Sequence, residues 1–350
     1  AVPRNCADHS GRGSPFHSLA SSIHPASGST SRGNAMLQST LLTVSWTRLA
    51  LASALMSLLS LSANSQGNAP KPVTMAETIR PIPGAMLDAV IKPFPRLKFP
   101  SESETLSLLS NIENKVFRPD SGTGPFPAIV LVPTCGGTTN RPEIRERAKE
   151  FLDAGYLVLI LENYVPRGQR TCRNQVVTGA LVWRDVVDAL IHLHTMEEVD
   201  KSRIYQVGYS AGAMAAAALS SRAINTYFDT SLRFKASVGW YGSCAFQTGP
   251  AARTSYLLRA DMEHPVLMLM SEADKETPPR PFCFPLLDEL KAAGKPIEWH
   301  LYETATHSWD TPGGYILDDN GWGERVVNRF DAATTADATR RTLDFLERHK

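Results

Sequence analysis

Beyond about residue 100, short apolar runs alternate with longer amphipathic stretches, the pattern of strands separated by helices in a mostly parallel sheet. Ala128-Ile129-Val130-Leu131-Val132 is a continuous apolar run that stops at Pro133, as a strand buried on both faces should. Residues 141–154 follow as a helix, with Pro142 tolerated in the first turn and Gly155 at the stop. Residues 156–161 form the next strand, and a helix over 179–194 carries Leu181, Val182, Val186, Ala189, Leu190 and Leu193 at helical spacing. Further strands are expected at 204–207, 236–240, 266–270 and 297–302, with helices at 211–220, 285–293 and 335–348. The alternation is continuous and contains no internal repeat. Residues 101–350 therefore read as one α/β domain with a mostly parallel central sheet flanked by helices.

The chain before residue 100 has a different character. Prolines at 70, 72, 81, 83, 93, 95 and 100 disfavour long helices and central strands, so residues 66–100 are expected as an extended arm lying across the domain. Residues 1–35 are rich in Ser, Gly and His without apolar periodicity and read as a non-native or upstream segment, with Met36 as the start. From there Arg48 precedes the apolar residues 49–59 and the small residues Ala63-Asn64-Ser65, the layout of a signal peptide over 36–65. Its apolar core is shorter than the ~20 residues needed to span a bilayer. A secreted or periplasmic protein, with no stable membrane insertion after the leader is removed, is the expectation.

Composition adds two constraints. Among 350 residues the net charge is +1 and no Lys/Arg cluster stands out, which removes the electrostatic case for a nucleic-acid partner and favours a small, uncharged or weakly charged molecule. Export would leave Cys135, Cys172, Cys244 and Cys283 in an oxidising compartment. One or two disulfides and four buried thiols are both compatible with that, and the pairing is open. No pair has C-x-x-C spacing, so neither a metal site nor a thioredoxin-like site is expected.

The chemistry concentrates at Gly208-Tyr209-Ser210-Ala211-Gly212. Alone, a G-x-S-x-G pentapeptide is a modest signal. Here a strand runs into Gly208 and a small-residue helix leaves directly after Ser210, the context of a nucleophile elbow. Such a turn lifts the serine hydroxyl clear of the backbone beside a helix N-terminus, and flanking glycines leave room for it. A serine hydroxyl is a weak nucleophile without a base, so a histidine and an orienting carboxylate are needed. In this fold they arrive in the order Ser, acid, His. Asp274 lies just past the strand at 266–270, with Glu272 as the rival acid, and His307 lies past the strand at 297–302. An oxyanion hole would draw one N–H from Cys135 or Gly136, after the strand ending at Pro133, and one from Ala211.

With these residues in place the chain resembles the dienelactone hydrolase family of α/β-hydrolases from about Lys115 to Lys350. The resemblance is carried by Gly124-Pro125-Phe126-Pro127-Ala128 into Cys135-Gly136-Gly137, by Pro166-Arg167-Gly168, by Asp200 to Gly212, by Trp240-Tyr241-Gly242, by Ser271 to Asp274 and by Ala305 to Trp309. It implies an α/β-hydrolase fold, a triad of Ser210, Asp274 and His307, oxyanion positions at Cys135 and Ala211, and substrate contacts from Tyr209, Tyr241 and Trp309. The family's namesakes use a cysteine nucleophile and an acidic residue where this chain has Ser210 and Pro133-Thr134. Those departures point away from dienelactone and toward carboxylic esters more broadly, cleaved through an acyl-enzyme without a cofactor. The alternatives are a peptidase or thioesterase on the same triad, or a non-catalytic binding protein that keeps the fold.

Overall fold

The computed structural model describes residues 78, 82–139, 141–174, 176–246, 254–319 and 323–350. The expected segment 1–35, the expected leader 36–65 and most of the arm before residue 82 lie outside the described residues. The strands of the main sheet are β1 (Lys115–Phe117), β2 (Phe126–Val132), β3 (Leu157–Ile160), β4 (Val199–Tyr209), β5 (Ser237–Trp240), β8 (Val266–Ser271) and β9 (Ile297–Tyr302). Short antiparallel ribbons pair β6 (Ala245–Phe246) with β7 (Ser255–Tyr256) and β10 (Tyr315–Leu317) with β11 (Val326–Asn328). The helices α1 (Gly84–Ile91), α2 (Pro142–Asp153), α3 (Gly179–Thr195), α4 (Ala211–Leu219), α5 (Arg222–Tyr227), α6 (Pro279–Phe282), α7 (Phe284–Ala292) and α8 (Ala332–Arg348) connect or flank them.

The sheet runs β1-β3-β2-β4-β5-β8-β9, parallel throughout except for β1 against β3. Strand β2 shows why its run of apolar residues is unbroken. Ala128, Val130 and Val132 enter the apolar layer that contains α3, α4 and α7 residues, while Ile129 and Leu131 enter the opposite layer with residues of α2 and α8. A strand covered on both faces has no polar side to display. The chain winds from β2 out to β3 and then returns to the other side of β2 at β4, so the strand order reverses there, and the carboxyl ends of strands at such a reversal are where open α/β sheets bind ligands.

The expected elements are present with shifted ends. Strand β4 is longer than expected because Val199, before the apolar 204–207 run, pairs with Phe126 across an irregularity in the ladder. Short β1 and α5 carry too few residues to show a period. The proline-rich arm differs more: instead of a wholly extended path, residues 84–91 form a helix fitted between Pro83 and Pro93, so that neither proline interrupts it. Leu87 and Ile91 are buried, and Arg184 of α3 donates to the carbonyls of Ile91 (3.1 Å), Phe94 (2.9 Å) and Pro95 (2.8 Å).

Two disulfides resolve the cysteine pairing, Cys135 with Cys172 and Cys244 with Cys283. Beneath the arm lies a buried ionic knot. The Asp185 carboxylate accepts from Arg167 through Nη1 (2.8 Å) and Nη2 (2.9 Å), from Arg184 Nη2 (3.1 Å) and from Asn163 Nδ2 (2.9 Å). Removing the shared carboxylate leaves two buried guanidinium groups short of a counter-ion. Asp185→Ala should therefore lower the free energy of urea unfolding by about 3–5 kcal/mol, and a loss under 1 kcal/mol would show that the knot adds little.

Candidate active site

Strand β4 and helix α4 meet at Ser210 with no intervening loop, which forces the serine to φ 50°, ψ −107°. A residue with a side chain occupies that region only when its surroundings over-determine it. The Ser210 N–H donates to the Trp240 carbonyl (3.0 Å), and its own carbonyl accepts from Met214 N (3.0 Å). Glycine is required on both sides because of close packing. A Cβ on Gly208 would collide with the Gly212 carbonyl, and one on Gly212 with the Val132 carbonyl. The turn thus presses the start of α4 onto the end of β2.

His307 Nε2 lies 2.9 Å from Ser210 Oγ, and His307 Nδ1 lies 2.7 Å from Asp274 Oδ2. The three side chains that spacing nominated are brought together from the ends of β4, β8 and β9. Glu272, the rival acid, instead pairs with Arg280 near the surface at 2.7 Å. Asp274 is fixed further by the N–H groups of Glu276 and Thr277, both 2.8 Å from Oδ1, and by the Thr277 hydroxyl, 2.8 Å from Oδ2. Burial opposes charge on Asp274, but the His307 charge, the hydrogen bond from His307 and those from Thr277 outweigh it and hold the carboxyl below its ordinary range. Burial likewise opposes protonation of His307, yet the Asp274 charge and hydrogen bond raise its pKa above 6.5. A hydroxyl, an imidazole and a carboxylate in this order can pass a proton from the serine to the histidine while the acid steadies the resulting imidazolium.

After β2, the loop residue Thr134 accepts twice: its carbonyl from Gly137 N (3.0 Å) and its Oγ1 from Gly136 N (3.1 Å). The Gly136 N–H is thereby committed within the loop, which corrects the expectation that it could serve an oxyanion. The Cys135 N–H has no partner among the described residues, and Ala211 is the first residue of α4, where an N–H finds no acceptor in its own helix. Ser210, Ala211, Cys135 and Gly136 are all half-buried, whereas the strand ends Val132 and Tyr209 beside them are closed to solvent.

Tyr209, Tyr241 and Trp309 do not form an open acyl pocket: their exposures are 0%, 1% and 0%. All three enter the apolar layer under α2 and α8. The Tyr241 ring sits edge-on to His307 with centroids 5.0 Å apart and its hydroxyl donates to Asp310 Oδ1 (2.7 Å), while Trp309 packs on Tyr241 at 4.8 Å. They make a floor behind the histidine. Burial raises the Asp310 carboxyl to about 6.

Sequence reasoning missed Thr277 and Glu162. Buried Glu162, two residues past β3, accepts from Thr138 N (2.6 Å), Thr138 Oγ1 (2.7 Å), Tyr164 N (2.6 Å) and Val165 N (3.2 Å), joining the loops after β2 and β3. A carboxylate just beyond a wholly apolar strand, at the edge where the serine stands, was the available signal. Among the described residues no group of three or more His, Cys, Asp or Glu could hold a metal ion, and no helix is long and apolar enough to cross a membrane.

The model of the dienelactone hydrolase family matches residues 112–350. The chain belongs to that family. With that membership it is a carboxylic ester hydrolase. Solved structures share the fold at low identity. A dienelactone hydrolase-like promiscuous phosphotriesterase from metagenomic libraries is 18% identical at a TM-score of 0.50, over 67% of this chain and 91% of that one. A chain from Klebsiella pneumoniae subsp. pneumoniae is 19% identical at 0.50, over 66% and 90%. Thermogutta terrifontis esterase 2, phosphoramylated by tabun, is 17% identical at 0.49, over 67% and 88%. No curated protein matches the chain in sequence.

The elbow's packing is directly testable. Gly212→Ala places a methyl group against the Val132 carbonyl and should cost about 1–3 kcal/mol in thermal unfolding. An unshifted transition would mean that α4 does not press on β2.

Proposed function

We propose that the protein hydrolyses small carboxylic esters through an acyl-enzyme on Ser210. The unbroken hydrogen-bonded series Asp274–His307–Ser210 carries this reading, and the N–H groups of Cys135 and Ala211, which have no acceptor among the described residues, support it. Neutral His307 takes the Ser210 proton as Oγ attacks the ester carbonyl carbon, and Asp274 stabilises the imidazolium so formed. The N–H groups of Cys135 and Ala211 donate to the oxygen that becomes negative. The tetrahedral intermediate expels the alcohol, which leaves with the proton from His307. Water then gives a proton to His307 and attacks the acyl carbonyl, and Ser210 recovers its proton as the acid departs.

Two disulfides among the described residues support the further proposal that the protein works in an oxidising compartment, consistent with an exported chain.

Wild-type protein should take up one fluorophosphonate per chain and turn over aryl esters, whereas Ser210→Ala should do neither. Faster cleavage of a thioester or an aminoacyl amide in the same screen would shift the reading to those leaving groups, and an unlabelled, inactive wild type would leave a binding protein. His307→Ala should abolish turnover with an unchanged far-UV spectrum.

The raised His307 pKa fixes the sign of the pH dependence. Only the neutral imidazole accepts the serine proton, so kcat/KM should be level at high pH and fall as pH drops through a value above 6.5. Asp274→Asn removes the charge that raises this value. It should move the acid limb downward and reduce kcat by about 10⁴-fold. An acid limb unmoved in that variant would assign it to another group.

A further inference from the structure

We infer that Cys172 is a positioning residue for the ester hydrolysis proposed above, its disulfide to Cys135 holding the Cys135 N–H where the oxyanion forms. This rests on the reading of Ser210 as the nucleophile. It begins from the hydrogen bonds of the loop after β2. The N–H groups of Gly136 and Gly137 go to Thr134, and that of Thr138 goes to Glu162, so their directions are set inside the protein. The N–H of Cys135 has no such acceptor among the described residues, and of the two adjoining N–H groups without one, those of Cys135 and the buried Thr134, it belongs to the half-buried residue. That donor therefore needs to be aimed by other means, because no acceptor orients it before substrate arrives.

Cys172 grips the same residue twice. Its sulfur is bonded to Cys135 Sγ, and its N–H donates to the Cys135 carbonyl at 3.1 Å. The side chain and the carbonyl of one residue are thus tied to a single point on the neighbouring loop. That loop is itself anchored: Glu162 accepts from Tyr164 and Val165 at its start, and Arg167 reaches the buried Asp185. With the disulfide absent, Cys135 keeps one hydrogen bond to Cys172, the contact of its Sγ with Thr171 Oγ1 (3.4 Å) and the Thr134 turn, and the peptide bearing the donor gains freedom to tilt.

The consequence falls on the transition state. An oxyanion donor meets the substrate oxygen most strongly once charge has developed, so loosening it slows the chemical step more than it weakens substrate binding. Losing such a donor outright costs ~10²–10³ in kcat, and a misaimed one costs part of that. The other disulfide provides the contrast. Cys244 and Cys283 are wholly buried, whereas Cys135 and Cys172 are half-buried, so a reductant should reach the second pair first.

The test uses the full chain with an aryl ester and a fluorophosphonate. Cys172→Ser and the double variant Cys135→Ser, Cys172→Ser both keep the backbone N–H at position 135. Each should lower kcat by about 10-fold or more with KM within about 2-fold, and slow phosphonylation in parallel, while the final stoichiometry stays at one label per chain. A second arm avoids any folding defect in the variants. Folded wild type is treated with a water-soluble phosphine, which is oxidised to its oxide with oxygen from water while the disulfide takes two electrons and two protons to become two thiols. Alkylation mapped to Cys135 and Cys172 but not to Cys244 and Cys283 should accompany the same fall in kcat, and reoxidation should restore the rate. A kcat in folded Cys172→Ser equal to that of an active wild type overturns the clamp alone. So does a change confined to KM, a loss seen in the single variant but not the double, or full activity after mapped reduction. A wild type that neither turns over esters nor takes the label overturns the nucleophile and the clamp with it.

Discussion

Helix α4 lies on the end of β2 with no side chain between them, Gly212 against the Val132 carbonyl, and the rest of the site depends on that contact. Strands β2 and β4 are parallel neighbours with Val132 opposite Gly208, so both chains leave the sheet at the same edge and level. A helix that begins immediately after β4 is then compelled to start beside the loop that follows β2. The first turn of that helix therefore stands against Val132 and Pro133, just before Cys135. A bulkier residue at 212 would push α4 off the end of β2.

Two buried carboxyls near the serine differ in how well their charge is met. Asp274 is 2% exposed and stays ionised because His307 and the groups of Glu276 and Thr277 surround its oxygens. Asp310, equally deep but bonded mainly to a neutral phenol, is left with a carboxyl raised to about 6. The difference between the two acids is one of environment rather than residue type. It explains how His307, with a carboxylate held at Nδ1, keeps Nε2 directed at Ser210.

The parts of the fold that repeat were legible, and the parts that do not repeat were not. Periodicity located the strands and helices that alternate through the domain, because each buries residues at a spacing its backbone imposes. The order of Ser210, Asp274 and His307 was legible for a related reason: each follows a strand of one parallel sheet, so sequence position translated into a shared edge. Tyr209 was misjudged even though its own strand contained the answer. It shares parity with Tyr205 and Val207, which face the layer under α2 and α8, so its side chain goes into the core. Tyr241 and Trp309 lie beyond regular strand positions, where no parity rule applies. Thr277 and the two disulfide pairings depend on how loops return to the sheet, which no local spacing records.

Those non-repeating segments nevertheless carry the site. The loops after β2 and β3 have no ladder of their own, and in water such segments sample many conformations at a cost of about 1–2 kcal/mol per residue to order. They are ordered here by a few strong, long-range ties. Glu162 gathers N–H groups from both loops, Arg167 is pinned to Asp185, and Cys135 is joined to Cys172. The Thr138–Glu162, Arg167–Asp185 and Cys135–Cys172 ties each join segments that are apart in sequence. A hydrophobic layer could hold the strands without them, but it could not aim a single backbone N–H. The sheet sets where the reacting groups stand, and the ties between its loops set the direction in which the groups point.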